Sequence, residues 1–254
     1  MTGEYLLEAR GIEKSFGHVH VLRGVDFDVK HNEITALVGD NGAGKSTTIK
    51  ILSGTLRPDA GTISIEGETV SLTSPDRARE HGIETVYQDL ALAPELPAYS
   101  NMFLGRELIK PGLGRILGVL DRRRMRDETN TAYARLGTTV RDARAPVSML
   151  SGGQRQAVAV ARASTWATAL IFMDEPTAAL GVVQTEQVLR LIETCRSEGT
   201  SVVLISHSMP EVFEVADRIQ VLRLGKRVAN LATDDVTMPD VVAAMTGAAE
   251  FDVE

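Results

Sequence analysis

The sequence predicts an α/β fold with a mainly parallel, doubly wound sheet, and three observations carry that prediction. Ile34 to Val38 is a short apolar, β-branched run followed by a glycine-rich loop and a helical stretch. Ala169 to Met173 and Ser201 to Ile205 are apolar runs of interior-strand length, joined by an amphipathic helix from Val183 to Ser197 that stops near Gly199. Val25, Phe27 and Val29 alternate with Asp26 and Asp28, and Ile63 and Ile65 repeat the pattern, which adds an antiparallel β layer with one wet face.

A chain of 254 residues can bury one substantial core, so one domain with subdomains is expected. With 43% apolar and 24% charged residues the chain has ordinary globular usage, which excludes general disorder. No run approaches the roughly 18 to 20 apolar residues that cross a bilayer, and the start, with its acidic residues, is not a secretory signal. Cys195 is the single cysteine, so no internal disulfide forms; it fits a reducing compartment and a packing role within a helix. The net charge of −7 argues against a protein whose main task is gripping nucleic acid. It hides an asymmetry, because residues 105–144 hold ten Lys/Arg against five Asp/Glu. Arg122, Arg123, Arg124 and Arg126 read first as a solvated helix face, and second as a contact for a partner or for lipid headgroups.

Taken in order, residues from Tyr5 to Val29 are strand-like, with Phe16 on a loop where it either stacks on a purine base or packs in the core. Thr47 to Leu52 is helical and stops at Gly54, and Ser74-Pro75 caps a short helix ended by Gly82. Ile83 to Gln88 is a strand ending in a polar amide. Pro94 and Pro97 make Asp89 to Gly105 a bent connector. A helix capped by Asp121 places Met125, Ala132, Tyr133 and Leu136 on one face and stops at Gly137, so the middle reads as a helical insertion. After the second alternating half, Leu224 to Arg227 is a hairpin turn and Met238 to Met245 a closing helix.

The chemistry centres on Gly39-Asp40-Asn41-Gly42-Ala43-Gly44-Lys45-Ser46-Thr47, which fits GxxxxGK[ST]. Its glycines let amide N–H groups turn inward on one anion, Lys45 adds a point charge for β and γ phosphates, and Ser46 offers a hydroxyl to Mg²⁺. Gln88, Asp174-Glu175 and His207 fall at strand carboxyl ends, where doubly wound sheets bind ligands. Asp174 is assigned to the metal and Glu175 to the attacking water, on the ground that consecutive strand residues point to opposite faces. Gln88 coordinates Mg²⁺ or holds the water, and His207 bonds a phosphate oxygen. Ser151, Gly152, Gly153 and Gln154 open a second glycine-containing helix suited to another phosphate.

Leu150 to Gln154 reads LSGGQ. With the phosphate loop, Gln88, Leu170 to Glu175 and His207 in this order, the chain resembles the nucleotide-binding subunit of an ABC transporter over almost its whole length. The resemblance implies a RecA-like P-loop NTPase core at about 1–88 and 158–254, with a helical subdomain at about 89–157 that ends in the signature. It implies an ATP- and Mg²⁺-dependent ATPase in which two chains face head to tail, ATP lying between the phosphate loop of one and LSGGQ of the other. Phe16 then stacks on adenine, and Gln88 with residues 89–104 senses the permease. Where the family has an aspartate, this chain has Gly181, which puts close coupling between the two sites in doubt. Ala178 to Gly181 and Val86 to Leu90 look most like importers of ribose, xylose and fructose type. A homodimer on the cytoplasmic face of a bacterial membrane is therefore expected, with permease subunits and, indirectly, a sugar-binding protein as partners. The rival readings are an ABC-type ATPase of nucleic acid or ribosomes, a transporter of another substrate, and a GTPase or small-molecule kinase. Tandem cassettes, a long coiled-coil insertion and an Asn-Lys-x-Asp motif, which those soluble rivals call for, are absent from the sequence.

Overall fold

The computed structural model describes every residue except 1–3, 138–142, 179, 250 and 252–254. Arg141 and Asp142 of the basic stretch, and Ala179 beside Gly181, lie outside the described residues. In chain order, β1 (Tyr5–Phe16) and β2 (Val19–Lys30) form a hairpin, followed by β3 (Ile34–Val38), α1 (Lys45–Leu52), β4 (Ala60–Ile65) and β5 (Glu68–Val70). Next come α2 (Pro75–Glu80), β6 (Ile83–Val86), α3 (Ala98–Met102), α4 (Leu113–Ile116) and α5 (Arg122–Arg135). The second half contains α6 (Gly152–Trp166), β7 (Leu170–Asp174), α7 (Val182–Ser197), β8 (Ser201–Ile205) and α8 (Met209–Val215). β9 (Arg218–Arg223), β10 (Lys226–Ala232) and α9 (Met238–Thr246) close the chain.

Six strands form the main sheet in the order β10-β9-β3-β8-β7-β6, parallel throughout except for β10 at one edge. The antiparallel layer is a second sheet, ordered β2-β1-β4-β5. Every residue of β3 and β8 is buried, which is why both runs are continuously apolar or small rather than alternating. Leu37 and Phe172 pack with Phe27 and Val25 between the two sheets, whereas Ala36, Val38 and Ile171 join α6 and α7 on the other side. Burying a side chain such as Phe27 contributes about 1.5 to 3 kcal/mol, so this two-sided packing fixes the strand ends that carry the chemistry.

Several expectations change in detail. Asp28 does not face water. It is 2% exposed, because the outer face of β2 is covered by β9 and β10, whose Arg218 and Arg227 bond its carboxylate together with Arg10. Burial pushes this carboxyl up, but bonds from Arg227, the charge of Arg218 and a bond from Arg10 outweigh it and hold it below the usual value. Phe16 is the last residue of β1 rather than part of a loop. β6 stops at Val86, because the chain turns at Tyr87, whose carbonyl accepts from Leu90 N at 2.8 Å. The connector after it contains α3, begun at Pro97. Buried Asn101 donates to the Ala93 carbonyl at 3.0 Å and accepts from the Ala93 amide at 2.7 Å.

Candidate functional site

The loop from Gly39 to Gly44 lies where β3 leaves the sheet, and its glycines are set by their surroundings. Gly39 has φ +149°, and a Cβ there would lie 2.2 Å from the Leu222 carbonyl oxygen. Gly44 has φ +109°, with Leu22 Cδ2 at 2.5 Å from the same hypothetical atom. Side chains of β2 and backbone of β9 therefore press the loop from both sides, and only glycine fits. The ladder of α1 begins with Thr48 N donating to Gly44 O at 2.9 Å, so the amides of residues 44–47 precede it and are available to an anion.

Lys45 Nζ donates to Gly39 O at 2.6 Å and Asp40 O at 3.1 Å, spanning the mouth of this loop. Burial lowers the lysine's pKa, against the opposing charges of Glu175, Asp40 and Asp174. A cavity of about 720 Å³ opens here, lined by Asp40, Asn41 and Gly42 of the loop and by Lys45, Ser46 and Thr47 at the start of α1. Gln88, Asp174, Glu175 and His207 line it too, so the turn after β6 and the ends of β7 and β8 converge on one space. An oxygen-rich set of Ser46 hydroxyl, Gln88 amide and Asp174 carboxylate suits Mg²⁺.

Glu175 reaches this cavity by a different route from the one its sequence position suggests. It lies one residue beyond β7, in the left-handed region at φ +51°. Strand alternation no longer applies there, and both acids line the same cavity. Its amide donates to Ile205 O at 2.9 Å, which ties it to the end of β8. Its Oε2 lies 2.6 Å from His207 Nδ1. A carboxylate only accepts, so His207 donates from Nδ1 and its Nε2 remains for another partner. A left-handed non-glycine residue costs of order 1 to 3 kcal/mol, held here by the flanking strands.

Three groups of expected site residues lie elsewhere. Ala43 turns its side chain into the core beneath the loop, while its backbone closes the turn through Ala43 N to Asp40 O at 3.1 Å. Phe16 is 49% exposed at the tip of the β1–β2 hairpin and does not line the cavity. Its exposure removes the packing alternative, and the Lys14 ammonium sits 5.8 Å from its ring centre. Ser151, Gly153 and Gln154 line a separate cavity of about 590 Å³ with Gln184 and Arg190. Ser151 and Gln154 form a reciprocal cap, with Gln154 N donating to Ser151 Oγ at 3.3 Å and Ser151 N donating to Gln154 Oε1 at 3.0 Å. Gly152 is the first residue of the helix so capped.

One residue of consequence went unread in the sequence. Arg162 of α6 donates to Ala91 O at 2.8 Å and Leu90 O at 3.0 Å, three and two residues after Gln88. The helix that begins at the signature thus holds the connector that carries Gln88. The available signal was a lone guanidinium within the otherwise small and apolar Ala157 to Ala163 run.

The sequence profile of the ABC transporter family matches residues 22–178. The chain belongs to that family. The fructose import ATP-binding protein FrcA of Rhizobium meliloti is 51% identical over 252 residues, covering 98% of this chain and 97% of that protein. The xylose/arabinose import ATP-binding protein XylG of Sulfolobus acidocaldarius is 45% identical over 241 residues, covering 95% and 94%. A crystal structure of a nucleotide-free ATP-binding cassette from an ABC transporter superposes with a TM-score of 0.80 at 24% identity, covering 94% of this chain and 98% of that one. The ABC cassette thus has the fold expected, with a mixed sheet, an antiparallel layer and helices.

Proposed function

We propose that this chain is the ATP-hydrolysing subunit of a monosaccharide importer, one cassette with its helical subdomain at about 89–157, working as a homodimer beneath separate permease subunits. The identity with the fructose and xylose/arabinose import proteins, each over nearly the full length of both chains, supports a sugar as cargo. The observation that carries the mechanism is the convergence of Lys45, Ser46, Gln88, Asp174 and the Glu175–His207 pair on one cavity, while the signature opens on another. Two copies placed head to tail bring the second cavity of each over the first of its twin, with Phe16 at the hairpin edge available to adenine.

In this reading the loop amides and Lys45 bind the β and γ phosphates, Lys45 exchanging its loop carbonyls for phosphate oxygens. Ser46, Gln88 and Asp174 would hold Mg²⁺, which would neutralise charge developing on the transferred phosphoryl group. Glu175 takes a proton from the attacking water, whose oxygen bonds to the γ-phosphorus as the bond to the bridging oxygen breaks, leaving ADP and phosphate. His207 fixes the Glu175 carboxylate through Nδ1–H, and it donates Nε2–H to a γ-phosphate oxygen when the imidazole carries both protons. Closure follows from ATP binding both faces of the pair more tightly than either alone. The assembly sits at the cytoplasmic face of the membrane, with a sugar-binding protein acting through the permease.

Glu175→Gln is the direct test. Turnover is expected to fall about 10²- to 10⁴-fold, the worth of a positioned base, while size-exclusion chromatography shows dimers accumulating with ATP. Undiminished hydrolysis in this variant removes Glu175 from the role.

A further inference from the structure

Seven of the sixteen large apolar side chains exposed among the described residues lie between positions 104 and 120. Six of them, from Ile109 to Leu120, belong to an excursion from the helical part of the molecule whose base is pinned by Asp121 N donating to Leu108 O at 2.7 Å and Lys110 N donating to Val119 O at 2.9 Å. At its tip, α4 places Leu113, Ile116 and Leu117 at spacings of three and four residues, on one side of a single turn. They are 74%, 81% and 69% exposed, far beyond the scatter of single apolar residues that a surface ordinarily carries.

The charge around this tip is as distinctive as its hydrophobicity. Residues 105–126 hold seven Lys/Arg against two acids in a chain whose net charge is −7. Arg123 and Arg124 are paired with Asp127 and Glu128 along α5, and Arg106 with Glu84. Lys110, Arg115 and Arg122 are exposed and have no ion pair among the described residues. A projecting apolar turn flanked by unneutralised cations matches an anionic bilayer surface, with the apolar atoms entering the acyl boundary and the cations meeting headgroup phosphates. The acidic remainder of the chain is repelled by the same surface, which favours an approach through this patch.

We propose that the α4 excursion seats the chain directly on anionic lipid, through Leu113, Ile116 and Leu117 in the acyl boundary and Lys110, Arg115 and Arg122 among the headgroups. The contact is additional to any made with a permease and does not depend on the catalytic assignments.

Sedimentation of the full chain with vesicles of phosphatidylcholine alone, or mixed with phosphatidylglycerol, tests this. Binding to the anionic vesicles is expected to be about tenfold stronger and to weaken as salt is raised. Combining Leu113→Ser, Ile116→Ser and Leu117→Ser is expected to lower it by about tenfold or more, while ATP hydrolysis in solution stays unchanged. These residues are exposed, so an unchanged circular dichroism spectrum is expected and separates lost binding from lost fold. Equal sedimentation of the variant and parent chains overturns the proposal, as does the absence of any preference for anionic vesicles. Retention only on vesicles that contain the permease overturns it too, and makes the patch a protein interface.

Discussion

Asp174 is in a position that the fold alone would not choose. Burial first, then the charge of Glu175, raises its carboxyl pKa above the usual 3.8, against the pull of Lys45 and Lys50. A raised folded-state pKa means that the native chain takes up this proton more readily than the unfolded one. The stability it contributes is complete below the unfolded value of about 3.9 and is lost as pH rises through the folded value. Near neutral pH the ionised carboxylate therefore costs stability, and under the proposed function its retention is explained by the Mg²⁺ it would hold. Asp174→Asn keeps the shape and removes the charge. In nucleotide-free buffer near pH 7 its melting temperature is expected to rise by about 2 to 4 °C for each kcal/mol recovered, while ATP hydrolysis is lost. Differential scanning calorimetry at neutral pH and near pH 4 checks this, since the gain should shrink toward the acid end. Most of the site was legible at this scale, because the residue types and their strand-end positions already pointed to phosphate chemistry. Asp28 was not, since alternation within β2 describes one sheet and says nothing of a second sheet laid across its outer face. The separation of Glu175 from Asp174 rested on strand alternation, which the left-handed backbone of Glu175 does not continue.

The α6 helix is the element that joins the two halves of the chemistry within one chain. Its fifteen residues span about 22 Å at 1.5 Å each, from the signature cap at Ser151 to Arg162 on the Gln88 connector and Trp166 beyond. Trp166 Nε1 donates to Met102 O at 2.9 Å, and the Arg106 guanidinium lies 4.8 Å from the Trp166 ring centre. One helix thus ties the signature to residues 90–106. Burial pushes the Arg162 pKa down, with help from Arg79 and against Glu84, so this guanidinium is held in place by its two carbonyl partners. Arg162→Leu strips both carbonyls of their donor and is expected to cost about 1 to 3 kcal/mol in urea unfolding, with Arg162→Lys recovering part of it. An Arg162→Leu variant as stable as the parent would show the tie to be incidental. Periodicity located α6 and α7 because each buries one stripe of small or apolar side chains. It missed α4, a single turn whose apolar residues face outward and so leave no amphipathic signature of burial.

At the scale of the whole molecule, the phosphate loop and the signature open on different cavities of one chain, and under the proposed function a second copy related by a two-fold axis completes each pocket. Such an arrangement makes a specific demand on mixed dimers. Lys45→Ala disables the loop of its own chain, and Ser151→Arg disables the signature that the same chain lends to its twin. Each homodimer is expected to be inactive. In a heterodimer both defects fall on one pocket, leaving the other with an intact loop and an intact signature. Random exchange makes half the dimers mixed, each with one working pocket of two, so equimolar mixing should restore about a quarter of parental hydrolysis. That fraction assumes the pockets fire independently, as the resemblance implies for a chain with Gly181 where the family has an aspartate. Steady-state phosphate release after mixing the two purified variants gives the answer. Full silence in the mixture, with heterodimers confirmed by differential tagging, would require the two pockets to be strictly coupled or to lie within single chains. Dilution separates those two outcomes, because pockets contained in single chains keep a constant rate per molecule when the parent protein is diluted until only monomers remain.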